Sequence, residues 1–367
     1  MLPDTFAENG DLVNEAQDSK RASKAEMDDF ERFALIVNGP ALFNAIVTAI
    51  DLDLFRFLEE SPGRQMSEIA ESLEVEPSKL RVLLFAICAT GLVKKRGEGY
   101  SNSALASDFF AKAGQDSWSR ILPGWRALYY PAFAHLTNSV KESRNAALDA
   151  YPGSEDTLYA RLQRDNVAEA LLHDAMSAFT LRSLPSLLQK MDLGGCRRLL
   201  DLGGGDGTTA LALVEMYPEL QVTLVDLPSV AERARDVNDH ERIEVLSGDA
   251  FALTFDEEFD AVLCSHFLEV FSPTQILSIL SGVRHALRNN GRIYIYGFDP
   301  NDQETRGVFS ARLALYLTTL ATGNGMTYPA GDYETWLIES GFVDVSSSRG
   351  LPYEHGLTQG VKVDSLG

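Results

Sequence analysis

The sequence predicts an α/β chain in which an open, mostly parallel sheet, covered by helices on both faces, follows a helical N-terminal region. Two observations carry this. Up to about Phe110 apolar residues recur at three- and four-residue spacing, whereas after Met191 short β-rich runs alternate with helical segments. A third observation, a cluster of glycines closing the first of those runs, marks where a ligand is held.

A chain of 367 residues suits two domains better than one core, and 45% hydrophobic with 23% charged residues is an ordinary globular composition. The formal charge of −21 repels phosphate backbones and anionic headgroups, which disfavours nucleic acid and membrane as partners. Residues 1–32 are polar and aperiodic and are expected to form a mobile acidic tail. No apolar run of the roughly 18 residues that a membrane span needs is read, nor a signal peptide. Cys88, Cys196 and Cys264 are scattered in apolar settings and read as reduced thiols, so a cytoplasmic location is expected.

In residues 33–115, "PALFNAIVTAIDLDLFRFLEE" sets Ile46, Ile50, Leu54 and Leu58 at helical spacing. "MSEIAESLEVEPSKLRVLLFAICATGLVKKRGEGYSNS" then predicts a helix, a turn at Glu76-Pro77, a second helix and a hairpin around Gly97-Glu98-Gly99. That order is a winged helix. Such motifs often bind DNA, but here only Lys79 and Arg81 are basic and "LLFAICATGL" is apolar nearly all round. Burial against another subunit is expected instead. Residues 116–190 form a helical bridge contributing to the pocket. Its Trp118, Trp125, Tyr129, Tyr130 and Phe133 are expected in the core, with a minority lining the pocket.

Residues 191–367 carry "RRLLDLG", "QVTLVDL", "IEVLSGD", "FDAVLCSH" and "GRIYIYGF". Runs apolar on both faces and separated by helices predict a parallel sheet. Ligands of such sheets bind beyond the carboxyl ends of the strands. The first four ends carry Asp201–Gly207, Asp226, Asp249 and His266–Glu269. In "LLDLGGGDGTT", Gly203, Gly204, Gly205 and Gly207 permit a sharp turn and close approach of a ligand, and the helix from Thr208 aims its partly positive end at it. Asp226, closing the second strand, is placed to accept both hydroxyls of a ribose. The dinucleotide fingerprint wants a third glycine where Thr208 stands, which counts against a nicotinamide cofactor.

These segments, with "HDAMSAFT", "VTLVDLPSV", "VLSGDAF", "LCSHFLEVFS", "LRNNGRIYIYGF" and "TYPAGDYETWLIESGF", resemble in order and spacing the class I S-adenosylmethionine-dependent small-molecule O-methyltransferases, both plant caffeate-type and bacterial polyketide-tailoring. The resemblance covers nearly the whole chain. It implies a seven-stranded Rossmann-like methyltransferase domain preceded by an all-α winged-helix dimerisation domain, a homodimer, S-adenosyl-L-methionine as cofactor and a small aromatic or polyketide-like metabolite of secondary metabolism as substrate. Asp201, Gly203 and Gly205 would meet the methionine moiety, Asp226 and Leu227 the ribose and the edge of the adenine, and Asp249 with Ala250 or Phe251 the adenine ring. Ser265 would sit near the ribose or methionyl portion, and Met176 near the reacting centre.

Members of that family follow the fourth strand with Leu-His-Asp-Trp, whose histidine takes the acceptor's proton. The matching residues here are Leu268, Glu269, Val270 and Phe271, so the resemblance puts a carboxylate at the base position. An ordinary glutamate near pKa 4.3 is a poor base for a phenol near 10 unless burial raises it. Glu269 and, as an assistant, His266 are therefore the candidate catalytic residues, for methylation of oxygen or carbon. A metal at His266 and Glu269 lacks a third ligand, and none is expected. Two alternatives stand beside this. One is a non-methylating hydroxylase, decarboxylase or pericyclase that keeps S-adenosylmethionine as a bound charge. The other is a winged-helix regulator sensing a small ligand.

Overall fold

The computed structural model describes residues 28–112, 114–252, 255 and 258–363, and the chain divides into two compact units after Ser103. The first contains α1 (Asp29–Asp51), α2 (Leu54–Glu60), β1 (Arg64–Gln65), α3 (Met66–Ser72), α4 (Pro77–Ala89), β2 (Val93–Arg96) and β3 (Gly99–Asn102). The hairpin turns at Gly97-Glu98, as expected, and pairs with β1 in a small antiparallel sheet of order β1-β3-β2.

Helix α4 starts where the sequence placed the turn. Pro77 opens it, and the Glu76 carboxylate accepts the Lys79 N–H at 3.1 Å. Leu80, Leu84 and Ile87 are buried within the unit, while Val82 and Phe85 remain 66% and 77% exposed.

Two expectations need correction in this unit. Residues 29–32 are helical: Asp28 caps α1 by accepting the Glu31 N–H at 2.7 Å, and residues 1–27 of the expected tail lie outside the described residues. Helix α1 is also long and apolar enough, by length and composition, to cross a membrane. Two of its polar residues bond within the helix, Asn38 donating to the Ala34 carbonyl at 2.9 Å and Asn44 to that of Pro40 at 2.8 Å. That pairing lowers their cost in an apolar setting, which a count of apolar run length misses.

The second unit begins earlier than the sequence suggested. Phe109 stacks on Trp118 with ring centres 5.7 Å apart, and the Ser117 hydroxyl donates to the Phe109 carbonyl at 3.0 Å. Residues 107–111 thus pack with the bridge. The bridge in turn runs into α5 (Asn166–Lys190), a helix of 25 residues laid against the sheet.

The sheet has seven strands: β4 (Arg198–Leu202), β5 (Gln221–Asp226), β6 (Ile243–Ser247), β7 (Phe259–Ser265), β8 (Leu287–Phe298), β9 (Phe342–Leu351) and β10 (His355–Lys362). Their order is β6-β5-β4-β7-β8-β10-β9, parallel through β8 and antiparallel where β10 joins β8 and β9. The two-residue alternation sorts the core. Leu200, Leu202, Val262, Cys264, Ile293 and Ile295 face α7 (Pro273–Ala286) through Ile276, Ile279, Leu280 and Val283. Leu199, Val222, Leu224, Leu263, Tyr294 and Tyr296 face α5 and α6 (Thr208–Met216). With β4, β5, β6 and β7 all running the same way, the ends of four neighbouring strands meet along one edge.

Candidate active site

The loop after β4 turns on Gly203 and Gly205, at φ +73° and +62°. A Cβ on Gly203 would stand 2.1 Å from the Phe267 ring, whereas one on Gly205 would meet nothing, so the backbone there is open to a ligand. Asp226, at the end of β5, holds the loop in place: its carboxylate accepts the N–H of Gly205 at 2.9 Å and that of Leu227 at 2.7 Å. Burial pushes its pKa up to about 6, against the pull of those two donors. Asp206, which sequence reasoning passed over, accepts from the Thr208 N–H at 3.1 Å and from the Ser177 hydroxyl, tying the first turn of α6 to α5.

Asp201 behaves differently from its expected role. It lies within β4, 1% exposed, beneath Gly204, whose Cβ would come 2.7 Å from its carboxylate. Its oxygens accept no hydrogen bond among the described residues, and burial together with the Asp226 charge pushes its pKa up to about 7.

Above this loop lies a cavity of about 350 Å³. Of the residues nominated from sequence, Met176, Gly203, Gly205, Asp226, Leu227, Asp249, Ala250, Phe251 and His266 line it. Asp201 and Ser265 are not among its walls. Asp249 is exposed and accepts the Phe251 N–H at 2.9 Å, which orients the segment beyond β6.

A second, smaller cavity of about 90 Å³ adjoins the first and shares four of its walls, Tyr159, Met176, His266 and Val270. Its remaining walls include Trp125, Tyr129, Phe179, Glu269, Phe298, Arg312 and Tyr316. Two wide π-helical turns, Trp125–Tyr129 and Leu317–Ala321, contribute to it; such turns recur at functional sites because the extra residue re-aims side chains. Trp125 and Tyr129 are thus the minority of the bridge aromatics that line a pocket. Tyr159, Phe179, Arg312 and Tyr316 were not anticipated; the one available signal was an arginine inside the apolar run "VFSARLALYLTTL".

Glu269 is 3% exposed. One carboxylate oxygen accepts the Phe298 N–H at 3.1 Å, and a Cβ on Gly297 would stand 2.0 Å from it, so a side chain there would displace the carboxylate. Burial pushes the Glu269 pKa up to about 7, opposed by its own N–H and that of Phe298. His266 adopts φ +51°, a left-handed conformation uncommon outside glycine. Its ring packs edge-on against Tyr296 and His355, at 5.4 and 4.9 Å, with Nε2 3.5 Å from the Ser183 hydroxyl. Burial, and then His355, hold its pKa well below the usual range, so the imidazole is neutral. The left-handed turn also separates His266 from the short helix Leu268–Val270, so the two side chains do not lie on one helical turn. Among the described residues, no cluster of three or more His, Cys, Asp or Glu is placed to hold a metal.

Helix α8 (Val308–Tyr316) presents Arg312 and Tyr316, one turn apart, to the second cavity. Its first turn is capped from a distance: Glu354, between β9 and β10, accepts the Val308 N–H at 2.8 Å and the Ser310 N–H at 2.9 Å. A nucleoside-sized cavity that shares walls with a smaller, aromatic-lined one is a layout that suits a group-transfer enzyme.

Comparison with known proteins makes that class specific. The O-methyltransferase domain family matches residues 133–343, more than half of the chain, and the O-methyltransferase dimerisation domain matches residues 35–112. The chain belongs to the O-methyltransferase family and is an S-adenosylmethionine-dependent methyltransferase. It is 27% identical to an L-tyrosine C(3)-methyltransferase of Streptomyces lavendulae, over 86% of this chain and 87% of that one. It is also 27% identical to a 3-hydroxy-5-methyl-1-naphthoate 3-O-methyltransferase of Streptomyces sahachiroi, over 86% and 91%. A crystal structure of the S-adenosylmethionine-dependent methyltransferase SibL in its apo form superposes with a TM-score of 0.80 at 29% identity, covering 91% of this chain and 99% of that one. Human N-acetylserotonin methyltransferase in complex with S-adenosylmethionine gives a TM-score of 0.80 at 21% identity, covering 93% and 100%, a likeness of fold.

The first cavity suits that cofactor on its own evidence. Gly205 leaves its floor bare, Asp226 sits at the rim as an acceptor, and Leu227 and Phe251 supply apolar walls for a base.

Proposed function

We propose that the chain transfers a methyl group to carbon or oxygen of a small aromatic acceptor held in the second cavity, with Glu269 as the group that takes or orients the acceptor's proton. The observation that carries this is the shared wall. Tyr159, Met176, His266 and Val270 line both cavities, so a donor in one and an acceptor in the other meet there. The first-named relatives, a carbon- and an oxygen-methylating enzyme, support leaving both atoms open.

When bound, S-adenosylmethionine supplies an electrophilic methyl group. Gly203, Gly205, Asp226, Leu227, Asp249, Ala250 and Phe251 hold it, and Met176 flanks the junction. Asp201 lies below the loop and Ser265 closes β7, and neither lines the cavity. Glu269 stands where the family carries its histidine. Its raised pKa brings a carboxylate close to neutral pH, where proton transfer by a general base is most efficient. His266, neutral and wedged among aromatic rings, orients the acceptor ring and does not carry charge. Most of the acceleration then comes from confinement of the two reactants.

The exposed apolar residues of α1 and α4, Phe33, Ile36, Val82 and Phe85, support a homodimer built by the first unit. The functional division is a dimerisation region, a bridge that walls the acceptor cavity and a cofactor-binding sheet.

The test is incubation of the full chain with S-adenosylmethionine carrying a deuterated methyl group and a panel of single-ring phenols, read by mass spectrometry. A product heavier by one labelled methyl, with stoichiometric S-adenosylhomocysteine, is expected, and NMR assigns the atom. Cofactor uptake by calorimetry with no labelled product from any acceptor would sink methyl transfer and favour a reaction using the cofactor as a bound charge.

A further inference from the structure

We propose that Arg312 reads an anionic group on the acceptor, so that the natural acceptor is a single-ring aromatic acid with a free carboxylate. The inference deepens the methyl-transfer reading and rests on it.

Arg312 lines the acceptor cavity, yet its Nε and Nη1 are buried and make no hydrogen bond, and it forms no ion pair among the described residues. Its guanidinium lies over the Trp125 ring, 3.9 Å from the centroid, and 5.4 Å from that of Tyr129. Stacking of this kind occupies the flat face of the group and leaves its in-plane N–H donors free. A buried cation without an anion is strongly unfavourable, so a site that keeps one in this state is waiting for its partner.

The protein does not supply that partner. Glu354, a carboxylate whose charge Arg312 feels, is committed to Val308 and Ser310. The phenols of Tyr129, Tyr159 and Tyr316 all have raised pKa values through burial and stay neutral. Glu269, pushed up to about 7, carries at most a partial charge near neutrality. The missing anion must therefore enter with the ligand. A planar donor set matches a carboxylate well. The small volume of about 90 Å³ and the aromatic walls suit one ring better than a fused polycycle.

The experiment is titration calorimetry on the full chain saturated with S-adenosylhomocysteine, using 4-hydroxybenzoate, 4-hydroxyphenylacetate and L-tyrosine, each beside its methyl ester. At least one acid is expected to bind tighter than its ester by roughly ten- to a hundred-fold, the usual worth of a charge-assisted hydrogen bond. Arg312→Gln should erase that preference, Arg312→Lys should retain part of it, and both should bind S-adenosylhomocysteine as the wild type does. Equal affinity for acid and ester, no measurable binding of any acid, or a preference that survives Arg312→Gln overturns the proposal. So does displacement of the acid by inorganic phosphate at lower concentration than by acetate, which would mean a phosphate site. If the wild type takes up no S-adenosylhomocysteine, the methyl-transfer reading has failed instead, and the two failures are told apart.

Discussion

Replacing Glu269 by glutamine isolates the effect of burying an acid. The amide keeps the shape of the side chain, and its oxygen can go on accepting the Phe298 N–H now made at 3.1 Å, so the substitution removes ionisation and little else. A rise in pKa from 4.5 to about 7 is worth about 3 kcal/mol. The sign follows from the order of the two values. Below pH 4.5 the group is protonated in both states and carries no penalty. Between 4.5 and 7 the unfolded chain ionises first, so stability falls as pH rises; above 7 the loss levels off. The wild type should have lost about 1 kcal/mol by pH 5 and about 3 kcal/mol by pH 8 from this group. The stability difference between Glu269→Gln and wild type should therefore move by about 2 kcal/mol in the variant's favour between those pH values. All other titrations cancel in that difference. Trp118, Trp125 and Trp336, the three tryptophans of the chain, all lie in the second unit, so urea unfolding followed by tryptophan fluorescence reports on that unit alone. A difference that is the same at both pH values would refute burial as the source of the raised pKa. In the catalytic assay the same variant should lose turnover by roughly a hundred-fold or more if Glu269 is a base, with cofactor affinity unchanged.

Asp226→Asn leaves one amide donor pointing at a backbone N–H where two acceptors now serve Gly205 and Leu227, and should weaken S-adenosylhomocysteine binding at least ten-fold by calorimetry. Gly297→Ala places a methyl 2.0 Å from the Glu269 carboxylate and should cost roughly 1–3 kcal/mol in urea unfolding. Phe33→Asp combined with Ile36→Asp, both on the exposed side of α1, should convert a dimer to a monomer in sedimentation without altering the tryptophan spectrum.

The parallel half of the sheet was legible because runs such as "RRLLDLG" and "FDAVLCSH" have apolar centres buried on both faces, with their polar residues mostly near the ends. β9 was not, since an edge strand facing solvent reads "VDVSSSRGL" and shows no apolar period. The glycine loop and Asp226 were legible because backbone turns and strand ends are written locally. Arg312 and Tyr159 were not, because their place in one cavity depends on how the bridge folds over the sheet. Asp201 shows the opposite failure: a carboxylate beside a glycine loop looks like a ligand contact, but one residue of strand alternation puts it underneath. Phe109 stacks on Trp118 across the expected boundary at 115, a pairing no local pattern announces.

The cap that Glu354 provides for α8 has an evolutionary side. The helix bearing Arg312 is anchored at its start by a residue in the β9–β10 connection, 46 positions beyond Val308, where Tyr353 and Glu354 both adopt left-handed backbone angles. Changes in that connection would shift the register of α8 while sparing every wall of the acceptor chamber. Relatives could thus trade one acceptor for another through substitutions outside the chamber, and engineering for a new acceptor should begin at that connection.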